Sequence, residues 1–273
     1  MTKTSKSDSE ILKKWKEATL ANNFIFYKVM RHHPDACKHL LEMLLNIRIT
    51  RMKMSNEEII EVDKDGKGIR LDVYVTEPKR IHDIELQVIN TKELPERSRY
   101  YSALMDLDNL KPGENYQKLK DSHVIFICLE DVFDNGLPIN TFENICLEDG
   151  VTKLNDRSYK HFFIAPRCAK MLVDEELKSF FEFLITNKTA NKYTSELDSY
   201  VKDAKQNMQW RIQFMNYERQ RTYDIEYGRE QKAIEASINL LKMNLLSPKQ
   251  IAKAEGLSLK KILELQEQIA VKA

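Results

Sequence analysis

Between Gly68 and Val88 the chain reads GIRLDVYVTEPKRIHDIELQV, and apolar and polar positions alternate through most of it. A period of two is that of a strand. Ile69, Leu71, Val73 and Val75 share one face, with Asp72 and Tyr74 on the other; Ile84, Leu86 and Val88 share a face of a second strand, leaving Glu85 and Gln87 opposite. The Pro78-Lys79 turn between them predicts a hairpin. Upstream, FIFYKVM (24–30) is a dense apolar patch. Pro34-Asp35 starts a helix carrying Cys37, Leu40, Leu41, Leu44 and Leu45, and EEIIEV (58–63) reads as a strand before the turn DKDGKG (63–68). Pro95 suits the first turn of another helix, with Tyr100, Tyr101, Leu104 and Leu107 assigned to its apolar side. HVIFICL (123–129) is the continuous apolar run of a strand covered on both faces. The order is helix, three strands, helix, strand.

The later chain is read more coarsely. Strand-like pieces occur in 140–165, a helix in 172–186, a polar connector in 187–208 and a long helix in 209–245. The expected organisation is therefore a domain over 1–186, a connector over 187–208 and an α-helical tail over 209–273.

Composition narrows the classes. The 273 residues are 42% hydrophobic and 31% charged, enough for a sizeable core, and the net charge of +1 announces neither a nucleic acid nor a membrane, so any anion must be met by a local patch. The four cysteines show no paired spacing, which argues against structural zinc and for a reducing cytoplasm. MTKTSKSDSEILKKWKE is polar rather than signal-like, and VIFICL is too short to span a bilayer.

A turn centred on Pro78-Lys79 makes Asp72 and Glu85 direct cross-strand neighbours, with Cβ atoms roughly 5 Å apart. Two like charges so placed are destabilising unless something compensates. Hard oxygen ligands on a rigid hairpin suit Mg2+ or Mn2+; an ordinary exposed sheet face is the alternative. Arg97, near the start of its helix, suits a phosphate, or an ion pair with a nearby Glu such as Glu93. Tyr101 follows one turn later, placed to stack on Arg97 or pack in the core.

The ordered set RLDVYV (70–75), DIELQV (83–88), ERSRYYSAL (96–104), GENYQKL (113–119) and VIFICL (124–129) resembles the recombination-promoting nuclease (Rpn) and transposase family of the PD-(D/E)XK nuclease superfamily, over about residues 22–168. The resemblance implies an α/β fold of the restriction-endonuclease type: a mixed central sheet flanked by helices, followed by an α-helical C-terminal region. It implies a metal-dependent DNA endonuclease associated with recombination or mobile elements, with a catalytically weak or inactive DNA-binding protein as the alternative. Asp72 and Glu85 would hold Mg2+ or Mn2+, with the backbone carbonyl of Leu86 as a further ligand. Gln87 takes the place of the superfamily's lysine, where a neutral amide orients water but adds no charge. Glu42, in HLLEMLL, is the candidate acid from the first helix, with a solvated helix glutamate as the alternative. DNA is the expected partner, and a homodimer would suit cutting of both strands.

In the tail, SPKQIAKAEGLSLKKILEL (247–265) has the texture of a helix-turn-helix. Ser247 and Pro248 start the first helix, Gly256 makes the turn, and Ile251, Leu257, Ile262 and Leu265 form a small core. Lys260 and Lys261 are candidate phosphate contacts; a helical cap or oligomerisation element is the alternative.

Overall fold

The computed structural model describes residues 3–54, 59–60, 69–70 and 72–272, with side chains for 8–54 and 72–269. The chain divides into two units, Lys16–Met208 and the combination of Met1–Trp15 with Gln209–Ala273. Helix α1 (Lys3–Glu17) contributes the N-terminal part of the second unit.

The Lys16–Met208 unit begins with α2 (Asn23–His32) and α3 (Pro34–Leu45). The Asn22 side chain accepts the Phe24 and Ile25 N–H groups, capping α2, whose Ile25, Phe26, Val29 and Met30 are buried. Pro34 occupies the first turn of α3, and Asn46 ends it in the left-handed region at φ +50°. Then come β1 (Lys53–Met54), β2 (Ile59–Ile60), β3 (Ile69–Arg70), β4 (Val73–Thr76) and β5 (Arg80–Gln87). These are followed by α4 (Leu94–Asn109), β6 (Asp121–Cys128), β7 (Ile139–Phe142), β8 (Ser158–Ile164), α5 (Ala165–Met171), α6 (Glu175–Thr186) and α7 (Lys192–Gln206). Leu71 and the expected turn at 63–68 lie outside the described residues.

Six strands form one mixed sheet in the order β1-β4-β5-β6-β8-β7, with β5, β6 and β8 parallel and the other pairs antiparallel. The strand expected at 58–63 contributes Ile59–Ile60 to a separate ribbon with β3, and the edge of the main sheet is β1. The hairpin has the expected register: Val73 faces Ile84 and Tyr74 faces Asp83. Its turn closes with the Glu77 N–H donating to the Arg80 carbonyl at 2.8 Å.

Period two divides the core between two layers. Beneath α4 lie Tyr74, Ile81, Val124, Phe126, Phe162 and Ile164, packed with Leu94, Tyr101, Leu104 and Met105. The other face buries Val73, Val75, Ile84, Leu86, Ile125, Ile127 and Phe163, the last stacked on Phe181 of α6. Each such side chain contributes about 1.5–3 kcal/mol on burial. The stripe of α4 is Leu94, Ser98, Tyr101 and Met105, at a spacing of three and four. That phase leaves Tyr100 (37% exposed) and Leu107 (68%) outside, correcting their assignment to the apolar side.

Where a connector is expected at 187–208, α7 carries a capping box between Asn191 and Thr194 and buries Tyr193, Leu197, Val201 and Ala204. In the second unit, Trp15 meets Phe214 at 5.2 Å between ring centroids, and Lys14 pairs with Glu218 at 2.8 Å, joining α1 to the 36-residue α8 (Met208–Met243). Helices α9 (Pro248–Glu255) and α10 (Leu259–Lys272) meet at Gly256, whose φ of +67° is one that glycine adopts without strain. Ile251, Ala252, Ile262 and Leu265 pack together with Leu257 and with Ile234, Ile238, Leu240 and Leu241 of α8, the small core expected of this tail. A six-stranded mixed sheet flanked by helices, with a helical C-terminal region, is the α/β architecture expected.

Candidate active site beneath helix α4

The register of β4 and β5 continues past Val73 to bring Asp72 opposite Glu85, and the Asp72 N–H donates to Glu85 Oε1 at 2.9 Å. Asp72 is half-buried and Glu85 buried. The next position of the same face along β5 is Asp83, which sequence reasoning missed. It is 0% exposed, lies between Tyr74 and Val124 in its row, and neither carboxyl oxygen has a hydrogen-bond partner. The signal was there, because Asp83 shares the parity of Glu85 in DIELQ, but an acid two residues before a candidate ligand reads as turn-proximal polarity until its burial is known.

Arg97 enters from the first turn of α4, where Pro95 tolerates the missing N–H and the Arg97 N–H makes a helical bond to the Glu93 carbonyl at 2.9 Å. Its partner is not the Glu93 side chain. Nη2 donates to Glu85 Oε2 at 3.2 Å and to the Tyr101 hydroxyl at 3.0 Å, and Nη1 donates to Gln87 Oε1 at 2.9 Å. The guanidinium carbon sits 5.3 Å from the Tyr101 ring centroid and 5.5 Å from that of Phe126, which fixes the plane of the group. Tyr101 thus serves both the core and the arginine.

Three acids share this face with one guanidinium. Burial first, and then the neighbouring Asp72 charge, push the Asp83 carboxyl well above the ordinary range; Arg97 pulls weakly the other way. Burial also raises Glu85, reinforced by Asp72 and Asp83 and opposed by the Asp72 amide and Arg97. Burial lifts the Tyr101 phenol to about 12, so it stays protonated and able to donate.

The chemistry of this donor set fits a divalent cation. Three acids face a single guanidinium, and Asp83 is a buried acid whose oxygens lack partners. Among the described residues no three His, Cys, Asp or Glu side chains form a metal-binding group by themselves. Mg2+ characteristically takes only one or two carboxylates and completes its shell with water and substrate oxygens. The Gln87 carbonyl accepts from Leu129 of the β6 side at 2.9 Å. Carbonyls alternate along a strand, so the Leu86 carbonyl faces the β4 side, toward Asp72 and past the last described β4 pair.

The other candidate residues have partners of their own. Glu42 Oε1 accepts the Ile49 N–H at 2.7 Å and stands 4.0 Å from Lys38, closing the loop after α3. Lys260 and Lys261 belong to α10 in the other unit; Lys260 is exposed, 4.0 Å from Glu264, while the Lys261 N–H is capped by Ser258.

A model of the PD-(D/E)XK nuclease family transposases matches residues 24–237. The chain belongs to that family. No curated protein and no solved structure matches it. The matched span runs from α2 into α8 and takes in all six strands of the described sheet and the acidic face. Among the described residues, no helix is long and apolar enough to cross a membrane.

Proposed function

We propose that the chain is a divalent-metal-dependent endonuclease that hydrolyses DNA phosphodiesters, acting in the cytoplasm in recombination or on mobile elements. The observation that carries this reading is the pairing of Asp72 with Glu85 across the hairpin, beside the unpartnered, buried Asp83. Asp72, Glu85 and the Leu86 carbonyl would hold Mg2+ or Mn2+. Such an ion, when bound, makes water a stronger nucleophile and offsets charge on the phosphate. Arg97, fixed by four neighbours, donates to a phosphate oxygen. The roof that α4 and its Tyr101 make over Phe126 of β6 keeps bulk water from the buried acids and so strengthens each charge interaction there. Hydrolysis adds water across a P–O bond and leaves an alcohol and a phosphomonoester. Lys260 and Lys261 would add backbone contacts from the helical tail, and a homodimer would place one such site on each strand.

The test is nicking of supercoiled plasmid in Mg2+ or Mn2+ by the wild type, Asp72→Ala and Glu85→Ala. Metal-dependent nicking by the wild type alone is expected. Equal activity in all three, with or without EDTA, overturns the proposal. The neutral Gln87 favours a second reading, a nuclease-fold protein that binds DNA without cutting it; retention of duplex DNA without nicking would support that reading.

A further inference from the structure

We infer that Gln87 is a positioning residue: its amide holds the Arg97 guanidinium against Glu85 so that the arginine meets the DNA phosphodiester in one orientation. The inference rests on the nuclease reading for its substrate, a DNA backbone.

The amide of Gln87 is committed at both ends. Its Oε1 accepts from Arg97 Nη1 at 2.9 Å and its Nε2 donates to the Ile89 carbonyl at 2.5 Å. A carbonyl on one side and a guanidinium on the other admit one amide orientation, because the flipped amide would set donor against donor and acceptor against acceptor. Strand β5 ends at Gln87, and the backbone turns just beyond it so that Ile89 can return its carbonyl to the side chain. The amide is therefore a strut between the strand end and α4.

What the strut holds is a partly open cation. The Arg97 side chain is 29% exposed, and its bonds to Glu85, Tyr101 and Gln87 use three of its five N–H donors. The Nε–H and the second Nη1–H remain for an incoming anion. Tyr101 and Phe126 restrain the guanidinium plane, but the bonds to Glu85 and to the Tyr101 hydroxyl both leave from Nη2 and would let the group pivot there within that plane. Gln87 supplies the second point that stops this rotation. A lysine at position 97 could not be held in the same way, since a single ammonium has no fork to share between Glu85 and Gln87.

The deciding experiment is a double-mutant cycle on the full chain, with Gln87→Met, Arg97→Met and both together. Affinity for a short mixed-sequence DNA duplex is read by anisotropy in EDTA across a salt series, and plasmid nicking is read separately in Mn2+. Arg97→Met should weaken duplex binding by about three- to tenfold and lower the salt slope by about one. Gln87→Met should weaken it by a smaller factor, and add nothing once Arg97 is gone. Arg97→Lys, which keeps the charge, should be equally insensitive to Gln87→Met; thermal melts confirm that each variant is folded. Equal effects of Gln87→Met with and without Arg97 would overturn the inference, as would wild-type affinity in Arg97→Met. Failure of the nuclease reading shows separately, as absence of Asp72-dependent nicking, and leaves the binding cycle to judge the strut on its own.

Discussion

Strand β5 puts different chemistry on its two faces. Under α4 come Asp83, Glu85 and Gln87; on the reverse come His82, Ile84 and Leu86. The reverse face is also polar at one end, where His82 stacks on His123 at 5.1 Å and His123 Nδ1 lies 3.1 Å from His161 Nε2. The chain itself partners most of that row: Glu77 Oε1 bonds His82 Nε2 at 2.6 Å, Arg80 pairs with Glu77 at 3.0 Å, and the Thr141 hydroxyl bonds His161 at 3.1 Å. Only His82 Nδ1 is left without a partner there, whereas at Asp83 both carboxyl oxygens are. Buried titratable groups that the chain itself partners read as structure; a buried acid that it leaves unpartnered reads as a place for something from outside.

The two rows also respond to pH with opposite sign. Burial lowers all three histidines, His123 to about 2 and His161 to about 4, against an ordinary 6.5. Below pH 6.5 the unfolded chain takes up protons that the folded row refuses, so this face loses stability as pH falls from 6.5 toward 4. Glu77, Arg80 and Asp121 are the charges that face it. Asp83 and Glu85 are raised instead, so the folded, metal-free site holds protons more tightly than the unfolded chain and becomes less favourable as pH rises above the ordinary carboxylate range.

The contrast can be broken most decisively at Glu85. Glu85→Gln should lower plasmid nicking at least about 100-fold, equivalent to about 3 kcal/mol of barrier, with the metal-free melting temperature unchanged or higher. A matching loss of stability would place Glu85 with the structural face. Ile84→Ala, on the reverse face, should do the opposite: about 2–4 kcal/mol lost in chemical denaturation, with residual nicking per folded molecule close to wild type. Asp83→Asn should raise metal-free stability at neutral pH by about 1–3 kcal/mol, and the gain should shrink as pH falls and vanish below the ordinary carboxylate range, where the aspartic acid is protonated in both states. An Asn that destabilises at every pH would mean that the carboxyl is satisfied as it stands. Last, His161→Gln should flatten the stability profile between pH 6.5 and 4, by up to about 3 kcal/mol, while leaving nicking unchanged.

Much of this was legible in the residues. The alternation in RLDVYV and DIELQV, with a proline turn between them, led directly to the observed register, because a slip of one residue would turn every apolar side chain of the hairpin to the wrong face. Family membership was legible too, in the order of several short motifs rather than in any one of them. The phase of α4 was not. Tyr100 and Tyr101 are equally aromatic, and only the position of the helix over β6 decides that Tyr101 goes inside.

Local pattern by itself thus determined which side chains share a face and which cross-strand neighbours meet, since those follow from strand geometry and the turn. Only the packed structure decided how deeply each face is buried, and burial sets the electrostatic meaning of an acid. Asp83 is an ordinary polar residue in an open hairpin; it becomes an unpartnered carboxyl once α4, Tyr74 and Val124 exclude water from it. Arg97 likewise became part of the site only when the first turn of α4 was laid beside the end of β5, ten residues away along the chain from the Gln87 that holds it.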